Sequence, residues 1–84
     1  MANYITQWKP CVTINGQTTR FSTYREIKKN MKLLLQRSTN NEVFVSRSLR
    51  GEWGEWFEYW CMSSPEMIKG KIVRKPVIFK QGWM

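Results

Sequence analysis

Basic side chains are the main source of binding chemistry in this sequence. Its 84 residues include 14 Lys and Arg against six acidic residues, for a formal net charge of +8. A surplus of this size predicts a polyanionic or acidic partner. The chain has no His, and general acid–base catalysis draws mainly on His or on paired carboxylates. We therefore predict that the protein is not an enzyme.

The other ionisable side chains predict no catalytic or metal site. Glu52, Glu55 and Glu58 lie close together, but on a strand Glu55 would point away from the other two because side chains alternate between faces. We interpret these glutamates as solvated residues that balance local charge. Cys11 and Cys61 are too far apart for a metal-binding pair, so we expect buried thiols, with a disulfide as the alternative. No nucleophile motif or phosphate-binding glycine loop is present, so no cofactor is predicted.

Two clusters of cations are the strongest candidates for binding. The first, which we call the helix cations, falls within a sector of about 100° on a predicted helix: Arg25, Lys28, Lys29 and Lys32. The second, the carboxy-terminal cations, comprises Lys69, Lys71, Arg74 and Lys75. Cations held on one rigid surface neutralise phosphates and release counterions. The alternatives are a solvated helix face and, for the second cluster, a charged sheet edge that discourages aggregation.

A predicted hairpin in the middle of the chain brings arginine and tryptophan side chains together. A turn at Gly51-Glu52 would pair Arg47 with Trp56 and Arg50 with Trp53, within reach of cation–π stacking. An exposed surface of this kind stacks unpaired bases, whereas buried tryptophans would simply form the core. Five aromatic residues lie between positions 53 and 60, too many for one buried face, so we expect some to be exposed. Such a patch would also suit a protein partner.

An amino-terminal hairpin is the first of the elements that must position these side chains. Residues 11–21 alternate around Asn15-Gly16, the preferred type I′ turn because both turn positions require a positive φ. The resulting register places Val12, Ile14 and Phe21 on one face. We expect that face to be buried.

A helix over residues 24–37 is predicted next. Thr23 and Glu26 fit a capping box, in which each side chain binds a backbone N–H that the first turn leaves unpaired. Apolar residues recur at spacings of three and four and form one stripe: Tyr24, Ile27, Met31, Leu34 and Leu35. Leu33 lies opposite this stripe and should be exposed.

The remaining segments mostly predict strands. Residues 42–50 alternate as a strand, and residues 52–62 fit either a strand or a helix, with their β-preferring aromatics favouring the strand. Ser64-Pro65-Glu66 is typical of a helix start that Gly70 would stop within two turns. Residues 72–80 predict a last strand at a sheet edge, because Pro76 among them has no N–H for the ladder.

An α+β fold accounts for this order of elements. We predict an antiparallel sheet of four to five strands, in the order hairpin, helix, hairpin, edge strand, with one main helix packed on one face. The length predicts a single domain over residues 1–84. No apolar run approaches a membrane span and the first ten residues lack a secretory signal, so we expect a cytosolic monomer or homodimer with no membrane partner.

The segments RSLRGEWGEWFEYW and KPVIFKQGWM carry a resemblance to known proteins. In size, basic charge and Trp-Gly-rich texture, the chain resembles the small uncharacterised proteins encoded by enterobacterial lambdoid phages and prophages. The resemblance implies a bacterial cytoplasm and an accessory or regulatory role exerted on host nucleic acid or a host protein. It transfers no catalytic or binding motif to particular residues.

The predicted function is nucleic-acid binding, to DNA or RNA, by an accessory protein. In this hypothesis the two cation clusters hold phosphates while Arg47, Arg50, Trp53 and Trp56 contact bases. The alternative is a phage-encoded regulator that docks its Trp-rich surface, or Leu33, on an acidic host protein.

Overall fold

Short strands and two short helices build the chain. The computed structural model describes residues 9–48 and 55–84. The elements in these ranges are β1 (Cys11–Ile14), β2 (Gln17–Arg20), α1 (Tyr24–Lys29), α2 (Met31–Arg37), β3 (Val43–Ser48), β4 (Glu55–Met62), β5 (Glu66–Ile68), β6 (Lys71–Val73) and β7 (Pro76–Trp83). Residues 55–62 are a strand, as their aromatic content predicts.

The first hairpin follows from its turn residues. Asn15 and Gly16 have φ values of 53° and 81°, which is the type I′ geometry that matches the twist of paired strands. Val12 on β1 is buried, and Ile14 and Phe21 pack against the core. The predicted turn, register and buried face are confirmed.

Five strands form one antiparallel sheet in the order β2-β1-β3-β4-β7. The pairing sets Val12 opposite Val45 and Val45 opposite Glu58. We call the side of the sheet that carries this row the helix-side face and the other side the open face. Pro76 begins β7, which is the edge strand of the described sheet, as predicted. The predicted bounds of 72–80 are wrong, because residues 72 and 73 belong to β6 and β7 continues to Trp83. The α+β class and the antiparallel sheet are confirmed.

The helical segment is interrupted once. Thr23 Oγ1 accepts a hydrogen bond from the Glu26 N–H at 3.1 Å, which confirms the amino-terminal cap, while Glu26 Oε1 accepts from the Ser22 N–H at 3.3 Å. Asn30, with φ −104° and ψ 12°, separates α1 from α2. Its side chain donates to the Glu26 carbonyl at 2.9 Å, and the Leu34 N–H donates to the Asn30 carbonyl at 3.0 Å. Asn30 therefore closes the last turn of α1 and supplies the first carbonyl acceptor of α2.

The helices pack on the helix-side face only. Their apolar stripe is buried against the sheet, as predicted, and the core consists of Val12, Ile27, Met31, Leu34, Leu35, Val43, Val45 and Trp60. Leu33 is 60% exposed, also as predicted. None of the helices in the described ranges combines the length and apolar character needed to cross a membrane.

The prediction of a short helix after Ser64 is wrong. Residues 66–73 form a second, separate hairpin, β5-β6, in which Ile68 faces Lys71. Lys69 and Gly70 make its turn with φ values of 52° and 78°, so Gly70 supplies a turn position where L side chains are disfavoured. The β-branched residues on either side of the turn favour strands over a helix.

Neither cysteine takes the predicted buried position. Cys11 and Cys61 are free thiols, and both are half-buried. Alternation along β1 places Cys11 on the open face of the sheet, whereas Cys61, near the end of β4, borders a groove that Lys32 and Leu35 of α2 also line.

Candidate nucleic-acid interface

The β5-β6 hairpin extends the sheet as an arm. We define the arm as residues 63–75, which connect β4 to β7. At its base the Ser63 N–H donates to the Lys75 carbonyl at 2.7 Å, and the Lys75 N–H donates to Ser63 Oγ at 3.0 Å. Arg74 Nε donates to the Ser63 carbonyl at 2.9 Å. These contacts close the base of the arm where the chain leaves β4 and enters β7, while every residue of β5 and β6 is exposed.

The carboxy-terminal cations all lie on this arm. Lys69 is in the turn, Lys71 begins β6, and Arg74 and Lys75 stand at the base; all four are exposed. The arm carries one acidic residue, Glu66. Its local charge is therefore strongly positive.

The helix cations lie on the solvent side of α1 and α2. Arg25, Lys28, Lys29 and Lys32 are all exposed, because the apolar stripe of the same helices turns toward the sheet. Lys28 Nζ lies 5.5 Å from the centroid of the Tyr24 ring.

A groove on the protein surface is lined by one cation from each cluster. It has a volume of about 710 Å³ and separates α2 from the arm. Lys32 of the helix cations and Arg74 of the carboxy-terminal cations both line it, over apolar side chains that include Leu35 and Met62. Residues 42 positions apart in the sequence thus contribute positive charge to one concave surface.

Arg47 and Trp56 are directed to Glu58 rather than to solvent. They face each other across β3 and β4, as predicted. Glu58 is 3% exposed, so its interpretation as a solvated residue is wrong. Its carboxylate accepts hydrogen bonds from Tyr24 Oη at 2.5 Å, Trp56 Nε1 at 3.0 Å, Trp60 Nε1 at 3.0 Å and Arg47 Nη2 at 3.5 Å. These donors stabilise the buried charge, which would otherwise be costly.

Tyr24 ties this network to the helices. The Arg47 guanidinium lies 3.8 Å from the centroid of the Tyr24 ring, so the arginine stacks on Tyr24. The predicted stacking of Arg47 on Trp56 is wrong. Burial raises the pKa of the Tyr24 phenol well above its ordinary value, and the hydrogen bond to the Glu58 carboxylate raises it further. Arg47 is thereby engaged by two residues of the protein itself.

Arg50, Trp53 and Glu52, with the Gly51-Glu52 turn, lie outside the described residues. Their predicted pairing and their predicted base contacts therefore stay predictions. Among the residues of the two described ranges, no group of three His, Cys, Asp or Glu side chains is placed to hold a metal ion.

The open face carries aromatic rings that sequence reasoning did not single out. Phe44, Phe57 and Tyr59 lie together there, with ring centroids 4.9 Å apart for Phe44 and Tyr59 and 6.1 Å apart for Phe44 and Phe57. Phe79 of β7 adjoins them at 5.9 Å from Tyr59. The described aromatic residues of β4 are thus divided between the two faces, and each is half-buried or buried, not exposed as predicted. Alternation of side chains along a strand that contains Trp56 places Phe57 and Tyr59 together on the other face, and this signal could have predicted the aromatic surface.

Comparison of the chain with protein-family models, with curated proteins and with solved structures found no match. The function is therefore inferred from its own residues.

Proposed function

We propose that this chain is a small, non-enzymatic accessory or regulatory protein that binds nucleic acid in the cytosol of a bacterial host. The observation that carries the proposal is the groove between α2 and the arm. Lys32 and Arg74, one from each cation cluster, line that groove. Of the remaining cations, Lys69, Lys71 and Lys75 are exposed on the arm that borders the groove, and Arg25, Lys28 and Lys29 are exposed on the adjoining helix α1.

Charge balance supports a polyanion as the ligand. The eight clustered cations belong to α1, α2 and the arm, whose acidic residues are Glu26 and Glu66. The carboxylate of Glu26 is held at the start of α1 by the Ser22 N–H. Because nearly all of this charge is uncompensated, phosphates would release bound counterions on contact, which favours association at low salt.

The roles of the two clusters differ from those of Arg47 and Trp56. In the proposal the helix cations and the carboxy-terminal cations hold phosphates. Arg47 and Trp56 support the fold through Glu58, because their donor groups are already directed to its carboxylate.

The first experiment measures affinity for labelled DNA and RNA oligonucleotides at two salt concentrations. The protein should bind at low salt, and the affinity should fall steeply as salt rises. Replacing all four helix cations with Gln, as R25Q/K28Q/K29Q/K32Q, should weaken binding about tenfold and reduce the slope of log affinity against log salt by about three.

A matched variant separates position from net charge. The variant K9Q/R20Q/R37Q/K80Q also removes four exposed cations, none of which lines the groove. It should retain most of the affinity. Equal losses in the two variants would contradict the assignment of the site, and no binding by the unmodified protein at low salt would contradict nucleic-acid binding itself. In that last case the alternative regulator that docks on an acidic host protein would replace it.

A further inference from the structure

The arm exposes apolar side chains in the middle of its positive charge. Met67 and Ile72 face each other across β5 and β6, so both side chains lie on one side of the ribbon. Each is 70% exposed. A pair of large apolar residues presented on a projecting element is unfavourable in water unless a partner covers it.

Cations flank this pair along the ribbon, although Lys71 pairs with Ile68 and so points to the other side of it. Lys69 and Lys71 stand at the tip, and Arg74 and Lys75 at the base, against the single acidic residue Glu66. An apolar ridge with a positive margin complements a ligand that is apolar in the middle and negative on both sides. Double-stranded DNA offers this combination at thymines, because their methyl groups lie in the major groove between two rows of phosphates.

The width of the arm fits the major groove of DNA better than the minor groove. Two paired strands lie about 4.8 Å apart, and the major groove of B-form DNA, about 12 Å wide, admits a two-stranded ribbon. The minor groove, about 6 Å wide, does not admit it without deformation. In the major groove, thymine methyl groups offer apolar contacts to side chains such as Met and Ile.

We propose that the arm enters the major groove of double-stranded DNA, with Met67 and Ile72 against the base edges and the surrounding cations on the flanking phosphates. This inference rests on the proposed nucleic-acid binding and names double-stranded DNA as its substrate. In this arrangement the helix cations, which lie across the protein groove from the arm, contact phosphates of the same duplex.

The test compares a 20-base-pair DNA duplex with an RNA duplex of the same sequence. The major groove of A-form RNA is too deep and narrow to admit the ribbon, so the RNA duplex reports binding by phosphates alone. The unmodified protein should bind the DNA duplex about tenfold more tightly than the RNA duplex, since two apolar side chains are buried only in the DNA complex. The variant M67S/I72S should lose this preference by binding DNA more weakly while keeping its affinity for RNA.

The matched control is L33S/M84S, which removes two other apolar side chains of similar exposure, 60% and 61%. It should retain the preference for DNA. Circular dichroism and thermal unfolding of each variant check that the sheet is intact.

Three outcomes would overturn the proposal that the arm enters the major groove of DNA. The first is an M67S/I72S variant that binds the DNA duplex as the unmodified protein does. The second is an equal loss on both duplexes, which would make the pair a support for the arm. The third is an unmodified protein that sediments as a dimer and becomes monomeric in M67S/I72S, which would make the pair a contact between copies. If the helix-cation variant still loses affinity in these cases, nucleic-acid binding stands and only the role of the arm is wrong.

Discussion

Glu58 is a carboxylate placed within an otherwise apolar sheet face. Burial of an ionised carboxylate costs several kcal/mol unless hydrogen bonds and an opposite charge compensate it. Two tryptophan N–H groups, the Tyr24 hydroxyl and the Arg47 guanidinium supply this compensation. The network joins α1, β3 and β4 through a single side chain, so it fixes the position of the helix on the sheet.

Replacing Glu58 with Gln should destabilise the fold strongly. The amide has one acceptor oxygen in place of two and no charge, so the donors on one of the two oxygens face an NH₂ group and the Arg47 guanidinium loses its ion pair. We expect the free energy of unfolding to fall by about 3 kcal/mol, measured by urea denaturation with tryptophan fluorescence. The control Glu66→Gln changes an exposed glutamate on the arm and should have an effect within about 0.5 kcal/mol. Similar effects of the two substitutions would show that the network contributes little.

The raised pKa of Tyr24 predicts a loss of stability at alkaline pH. The folded protein keeps the phenol protonated where the unfolded chain, with an ordinary phenol pKa near 10, begins to ionise. The stabilisation is therefore complete below pH 10 and is lost as pH rises above that value.

Comparison with Tyr24→Phe isolates this effect from the titration of lysines. The variant should be less stable than the unmodified protein by about 1 kcal/mol at neutral pH, because Glu58 loses one donor. Its unfolding free energy should then fall less steeply above about pH 10. Urea denaturation at a series of pH values measures both curves, and parallel curves would argue against the predicted linkage.

The sequence pattern predicts part of the hydrogen-bond network around Glu58 but not all of it. Trp56, Glu58 and Trp60 lie two residues apart, so a strand places all three side chains on one face. Charge counting alone treated Glu58 as solvated, since Glu is almost never fully buried unless paired. The pairing depends on Tyr24, 34 positions earlier, and no local pattern predicts so distant a partner.

At the scale of elements, turn chemistry decided which predictions succeeded. Asn15-Gly16 predicted its hairpin because that dipeptide is specific for a turn with two positive φ values. Lys69-Gly70 makes a turn with the same two signs of φ, but Lys is a less specific signal at its first position. Ser64-Pro65-Glu66 also satisfies the rules for a helix start, and the two signals compete.

Gly16→Ala should weaken the first hairpin by about 1 kcal/mol, because an L residue at φ 81° pays a steric cost that Gly avoids. A Cβ at this position meets no atom within 4 Å, so the effect would come from the backbone alone. Gly16→Asn is the control, since Asn tolerates the left-handed region better than Ala does. Thermal unfolding should rank the unmodified protein above Gly16→Asn and Gly16→Ala last; an unchanged Gly16→Ala would show that the turn is not strained.

The apolar periodicity of the sequence also did not predict the interruption of the helix at Asn30. The apolar stripe runs through positions 27, 31, 34 and 35 without a phase change, so periodicity predicted one continuous helix. The side chain of Asn30 competes for the backbone by bonding the Glu26 carbonyl, as Asn is prone to do in helix interiors. The stripe still faces the sheet, so the prediction of the buried face survived.

On the scale of the whole molecule, charge and aromatic character are separated. One cation from each cluster lines the groove between α2 and the arm, whereas the open face combines aromatic rings with Lys80 and Glu55. Total charge and the two basic clusters could be counted from the sequence. Their arrangement around one groove could not, because it depends on how the arm continues from β4.

The two outer strands of the described sheet differ from regular edges. β2 has only four residues. β7 starts with a proline, carries Lys80, and changes register against β4 between Tyr59 and Trp60. Short length, charge and an irregular backbone each hinder the addition of a further strand. Along the described sheet, neighbouring molecules at high concentration therefore meet an irregular border, which is a poor template for polymerisation.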